Sequence, residues 1–130
     1  MFKSKGVADN TKGRGDKAEL VALDWLMAKG LRLVQRNYRV ARGPHSRGGE
    51  VDLVLQERDG TLVFVEVRLR SARTHGGAAA SVGAKKQGRL VLAAQHFLRR
   101  YETPPPCRFD VLAIDGDQVQ WLQAAFDAPA

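Results

Sequence analysis

Apolar positions first recur at helical spacing through Ala18, Ala22, Trp25, Leu26 and Met27. They predict a helix from Asp16 to Lys29 with Gly30 as its C-terminal cap. The following stretch, LRLVQRNYRV (31–40), alternates like a strand with one solvated face, and ARGPHSRGG (41–49) is loop by composition. Two strand runs come next, VDLVLQ (51–56) and LVFVEVRL (62–69), joined by Arg58-Asp59-Gly60. The segment 70–83 has no periodicity and is rich in Gly and Ala, so it reads as a mobile loop. A second helix is predicted from Val82 to Tyr101, with Leu90, Ala93, Ala94, Phe97 and Leu98 on its apolar stripe and Pro104-Pro105-Pro106 beyond its end. RFDVLAI (108–114) reads as a buried strand, Asp115-Gly116-Asp117 as a turn and VQWLQ (119–123) as a short last strand. The order is α-β-β-β-α-β-β in one layered α/β domain spanning residues 15–130, preceded by a basic tail, 1–14, expected to be disordered.

Two charges break the apolar pattern. Glu66 lies inside LVFVEVRL and Asp52 between Val51 and Leu53, and an unpaired buried carboxylate is costly. Period-2 geometry puts Leu62, Phe64, Glu66 and Arg68 on one face, opposite Val63, Val65 and Val67. A two-residue Asp59-Gly60 turn would oppose Leu53 to Glu66 and Val51 to Arg68, setting charges against aliphatics. A three-residue loop with Gly60 left-handed shifts the register by one. Val51, Leu53 and Leu55 then face Val67, Val65 and Val63 on one apolar face, and Asp52 faces Glu66 with Glu50 and Arg68 at the same end. The hydrophobic pattern therefore selects the register that gathers the carboxylates.

Adjacent carboxylates repel, and one of them holds a raised pKa unless a cation intervenes. A hard divalent ion resolves the repulsion, since Mg²⁺ keeps several waters while using one or two carboxylates. Such an ion can activate water and stabilise charge on a phosphate. An ion-pair network, with Arg68 neutralising Asp52 and Glu66, satisfies the same residues, and the residues alone do not choose between the two.

The composition narrows the context. At 130 residues and 14.3 kDa, with 44% hydrophobic residues, the chain suits a single core. No apolar run approaches the roughly 20 residues of a membrane-spanning helix, and the charged start lacks the apolar stretch of a secretory signal. Cys107 stands alone and cannot form an internal disulfide, which fits a cytoplasmic protein. A net charge of +7 and a pI near 10.1 favour polyanionic partners, nucleic acid first, although ribosomal and membrane-surface proteins share this balance.

Gly49-Glu50-Val51-Asp52-Leu53 followed by Val63-Phe64-Val65-Glu66-Val67-Arg68 resembles the YraN-like family of small bacterial proteins. The resemblance extends through Gly15 to Glu19, Arg36-Asn37-Tyr38-Arg39, residues 76–82, Lys85 to Leu90, Arg108-Phe109-Asp110-Val111 and Trp121 to Phe126, where Ala124 replaces a common Asn. The family is similar to the restriction-endonuclease-like PD-(D/E)xK superfamily and to archaeal Holliday-junction resolvases. This likeness implies a mixed central sheet flanked by helices and an endonuclease site in which Asp52 and Glu66 hold one or two Mg²⁺ or Mn²⁺ ions. It also implies a further acid at Glu19, which otherwise reads as an ordinary helix charge. DNA, in particular branched DNA, is the implied substrate ahead of RNA, and resolvases act as homodimers. The superfamily motif usually ends in Lys where this chain has Arg68. Arginine stays protonated and cannot be a general base, so the implied chemistry narrows to metal-activated water.

Lys85, Lys86 and Arg89 open the second helix and are candidates for phosphate contacts; a solvated helix face is the bland alternative. Gln87 and His75 are weaker candidates, and His45 and His96 carry no motif. Asp110 reads as structural, and Trp25, Phe97 and Trp121 as core. Two non-enzymatic alternatives stand beside the nuclease: a binding module that keeps the fold and charge, and a protein-interaction domain with an acidic partner.

Overall fold

The computed structural model describes residues 10–41, 43–44, 48–69 and 82–128, with side chains described from residue 15. The first helix, α1, runs Asn10–Ala28. It starts six residues before the apolar periodicity does, because NTKGRG carries no apolar residue to mark it. Residues 1–9 of the expected tail, and 70–81 of the expected loop, lie outside the described residues. The α1 C-terminus closes as a Schellman motif, with Gly30 N–H on the Met27 carbonyl at 3.0 Å and Leu31 N–H on the Leu26 carbonyl at 3.2 Å. Leu31 and Leu26 are both buried, supplying the apolar contact that accompanies this cap.

Among the described residues five strands follow: β1 (Arg32–Val40), β2 (Gly49–Gln56), β3 (Leu62–Leu69), β4 (Cys107–Asp115) and β5 (Gln118–Phe126), with α2 (Ala84–Leu98) between β3 and β4. They form one sheet in the order β1-β2-β3-β4-β5. Only the β3–β4 pair is parallel, as a helical crossover requires, and the other neighbours are antiparallel. The expected order, and the mixed sheet flanked by two helices, are what the molecule adopts. Among the described residues no helix is long and apolar enough to cross a membrane.

Boundaries shift where side chains intervene. Helix α2 ends at Leu98, and three i→i+3 backbone bonds carry a tighter turn on to Tyr101. Strand β5 extends to Phe126, beyond the expected Gln123, because Asp110 clamps it. The Asp110 carboxylate accepts from the Ala124 N–H at 2.9 Å, Trp121 Nε1 at 2.9 Å and Arg108 Nε at 3.0 Å. Asp110 is thus structural, as the sequence suggested.

The β2–β3 hairpin takes the three-residue register. Leu53 pairs with Val65 and Leu55 with Val63, Glu57 N–H meets the Thr61 carbonyl at 2.9 Å, and Gly60 has φ +95°. Leu53, Leu55, Val63 and Val65 pack under α1 with Ala18, Ala22, Leu23 and Leu26. Val54, Leu62 and Phe64 pack under α2 with Leu90, Ala94 and Phe97. Trp25 and Trp121 are partly buried against the α1 layer, edge to face at 5.6 Å.

One expected face is corrected. Val51 belongs to the α2-side core, not beside Leu53 and Leu55. The alternation of β2 breaks at Asp52, and β1 breaks with it. Asn37, between the Arg36–Leu53 and Tyr38–Val51 pairs, has φ 51°. Asn is among the few residues that enter this left-handed region readily. Beyond the break β2 lies hard against α2, and a Cβ on Gly49 would sit 2.7 Å from the Arg89 carbonyl oxygen.

Candidate functional site

The site lies where the β2–β3 ladder stops. The last paired residues are Leu53 and Val65, although both strands run on. In place of a further ladder bond, Asp52 Oδ2 accepts the Val67 N–H at 2.8 Å. The opening is a cavity of about 520 Å³ lined by Gly15, Ala18 and Glu19 of α1, Glu50 and Asp52 of β2, Glu66 to Leu69 of β3, and Lys86 of α2.

Glu66 is the buried charge at its centre, 2% exposed. Its Oε2 faces two cations, Arg68 Nη1 at 3.4 Å and Lys86 Nζ at 3.5 Å. Its Oε1 is buried and meets no hydrogen-bond donor. Burial, then the Asp52 charge, push the Glu66 pKa up to about 7 despite the opposing pull of Lys86 and Arg68. Burial also raises Asp52, with the Val67 N–H pulling the other way. Glu19 is raised for the same first reason, with the Asp52 charge adding to it, and its Oε1 likewise finds no hydrogen-bond donor. Arg36 lies 4.0 Å from that oxygen.

Asp52, Glu66, Arg68, Glu19 and Lys86 therefore share one cavity. Lys86 sits on the same Glu66 oxygen as Arg68. Arg89 pairs with Glu50 at the edge of this group. Lys85 is exposed on the first turn of α2 and lines no part of the cavity. Gln87 turns back to donate to the Val82 carbonyl at 2.9 Å, and His96 meets the Tyr38 hydroxyl at 2.5 Å. His45 and His75 fall outside the described residues.

The donor set suits a lightly ligated hard cation. Among the described residues no three His, Cys, Asp or Glu side chains group as a metal cluster, although Glu19 shares the cavity of Asp52 and Glu66. Asp52 and Glu66 remain, and two carboxylates with water are what Mg²⁺ or Mn²⁺ commonly takes. The orphaned Glu66 Oε1 is the observation that fits such an ion, since a buried oxygen without a donor calls for an explanation.

Arg36, which reaches Glu19 at the wall of this cavity, entered the sequence reading only through the Arg36-Asn37-Tyr38-Arg39 stretch, because periodicity scores it simply as a polar strand position.

A profile of the uncharacterised protein family UPF0102 matches residues 18–114. A UPF0102 protein of Methylibium petroleiphilum is 64% identical over 118 residues, covering 91% of this chain and 97% of its own length. A UPF0102 protein of Paracidovorax citrulli is 58% identical over 118 residues, covering 91% and 85%. One from Cupriavidus taiwanensis is 55% identical over 119 residues, covering 92% and 86%. With the matched residues containing the whole hairpin and both of its acids, the chain belongs to UPF0102, the YraN-like family that this hairpin resembles.

Proposed function

We propose that the protein is a metal-dependent endonuclease that hydrolyses phosphodiester bonds in DNA, with Asp52 and Glu66 as its metal ligands. The observation that carries the reading is the buried Glu66 oxygen without a donor, beside Asp52, in an open cavity that also presents two cations. A Mg²⁺ or Mn²⁺ ion at these carboxylates would supply activated water and charge stabilisation at a phosphate.

The chain's own residues divide the remaining work. The Val67 N–H fixes the Asp52 carboxylate and so orients one ligand in advance. Arg68 cannot remove a proton, because its guanidinium stays charged, but its donors can orient water and stabilise a pentavalent phosphate. Lys86 supplies an ammonium to the same carboxylate oxygen from a different element. It stands in for the lysine that the superfamily motif usually carries where this chain has Arg68. Both cations keep part of their side chains open to the cavity, 35% for Arg68 and 28% for Lys86, so an incoming phosphate can reach them. Glu19 shapes the cavity wall and adds negative potential beside the two ligands.

The two cations on Glu66 favour a second reading: a nucleic-acid-binding module in which the ion pairs are purely structural. Incubation of labelled linear, flapped and four-way DNA with Mg²⁺ or Mn²⁺ separates the two. The nuclease reading expects cleavage by the native protein that Asp52→Ala and Glu66→Ala both abolish. Cleavage surviving in both variants would remove the site assignment, and binding without cleavage in either metal would establish the binding module. Sedimentation of the protein with and without four-way DNA tests the homodimer that cutting two paired strands requires.

A further inference from the structure

A second cavity, of about 860 Å³, adjoins the acid pocket and shares Gly15 and Glu19 with it. Its other lining residues are Asp16 and Leu20 of α1 and Arg36, Asn37 and Arg39 of β1. Among the described residues β1 ends the sheet, so this cavity lies along its edge.

Two arginines three positions apart should project to opposite sides of a regular strand. Here they line the same cavity, and the left-handed Asn37 is the reason. Arg36 faces Glu19 of α1. The break then turns Tyr38 towards the α2-side core, where it stacks edge to face on Phe97 at 5.2 Å. Arg39, the next residue, returns to the side of Arg36. The backbone distortion that opens the acid pocket at Asp52 thus brings two guanidinium groups together just outside it.

We propose that this cavity is a track for the phosphodiester backbone of a nucleic-acid strand running into the acid pocket, held by Arg36 and Arg39. The inference rests on the nuclease reading only for what the strand meets at the end of the track. Guanidinium forks match phosphate oxygens, both arginines are exposed, and the contact of Arg36 to Glu19 is a loose 4.0 Å. Asp16 and Glu19 in the same wall repel a bulk polyanion, so the arginines must contact the backbone directly. The net charge of +7 and the continuity of the two cavities favour a nucleic-acid strand over an acidic protein partner.

The test measures binding without catalysis. Fluorescence anisotropy of a labelled single-stranded DNA, about 20 nucleotides long, is followed in chelator across a range of salt concentrations. Arg36→Gln/Arg39→Gln should weaken binding about tenfold at low salt and reduce the salt slope by about 1.4, at roughly 0.7 per lost single-strand phosphate contact. Lys29→Gln/Arg58→Gln removes the same charge at the hairpin-turn end and should leave the slope unchanged. Equal losses in the two double variants, or no loss in the first, would overturn the track. Should the arginine pair prove necessary for folding, Arg39→Gln alone carries the test, with an expected slope change of about 0.7. Arginine-dependent binding of an acidic peptide in place of DNA would also overturn it. Native protein that binds through these arginines but never cleaves would refute the nuclease and leave the track standing. Cleavage with unaltered binding in the arginine variants would do the reverse.

Discussion

Asp52 Oδ2 accepts the backbone N–H of Val67 at 2.8 Å, at the point where the β2–β3 ladder ends. A side chain has replaced a main-chain carbonyl as the acceptor, so the strands part without stranding a buried donor. The same bond holds one carboxylate facing Glu66. Asp52→Asn keeps an oxygen to accept that bond while removing the charge. The variant should fold with stability near the native value but lose cleavage, and the Glu66 pKa should fall, since the Asp52 charge is one of its causes. NMR titration of the Glu66 carboxyl carbon reads the shift directly; an unchanged Glu66 titration would show that the two carboxylates do not interact.

Glu66 makes stability depend on pH. The unfolded chain releases this proton near 4.5 and the folded chain near 7. Between those values the folded state binds more protons, so in chelator stability falls as pH rises and the loss is complete above about 7, by up to about 3 kcal/mol. Glu66→Gln should flatten that slope and be the more stable protein at alkaline pH. Urea unfolding of both proteins across the window checks this, and parallel profiles would count against a buried, strained Glu66.

Divalent ions should relieve the same strain. Mg²⁺ or Mn²⁺ at a hundredfold excess over its Kd should stabilise the native protein by about 2.7 kcal/mol. Below neutral pH the binding should also release a proton, since the ion displaces the one held by Glu66. Thermal shift and calorimetry in buffers of different ionisation enthalpy measure the two effects. Equal stabilisation of Asp52→Asn and Glu66→Gln would place the ion elsewhere.

The left-handed Asn37 predicts an asymmetric response to substitution. Asn37→Val should cost about 2 kcal/mol, whereas Asn37→Gly should come close to native stability. Because the break aims Arg36 and Arg39 together, the Val variant should also weaken DNA binding more than its stability loss explains. Denaturant midpoints and anisotropy on the same preparations test both halves, and equal stability of Val and Gly would exclude a left-handed Asn37.

Asp110 predicts a purely structural loss. Asp110→Ala leaves the Trp121 and Ala124 donors and the Arg108 Nε unmet, with Arg108 Nη1 still on Glu57, and should destabilise by about 3–5 kcal/mol without selectively changing the salt slope of DNA binding. Urea denaturation measures the cost; a loss below about 1 kcal/mol would mean that the clamp is dispensable.

What the sequence determined by itself was whatever follows from local periodicity and short turns. The order of elements, the Gly30 cap and the Leu53–Val65 register all came from the apolar pattern plus one loop length. The gathering of Asp52 and Glu66 followed from that register. The helix start at Asn10 was hidden because that first turn has no apolar residue to betray it. Only the tertiary structure decided what depends on contacts between distant elements. It put Lys86 of α2 on Glu66, moved Val51 to the other core layer, and turned Arg36 and Arg39 towards one cavity. Each of these depends on a break in strand alternation, or on the docking of a helix from beyond the segment 70–81. Period-2 reasoning assumes an unbroken strand, so it could find the two acids but not the cations and the edge that surround them.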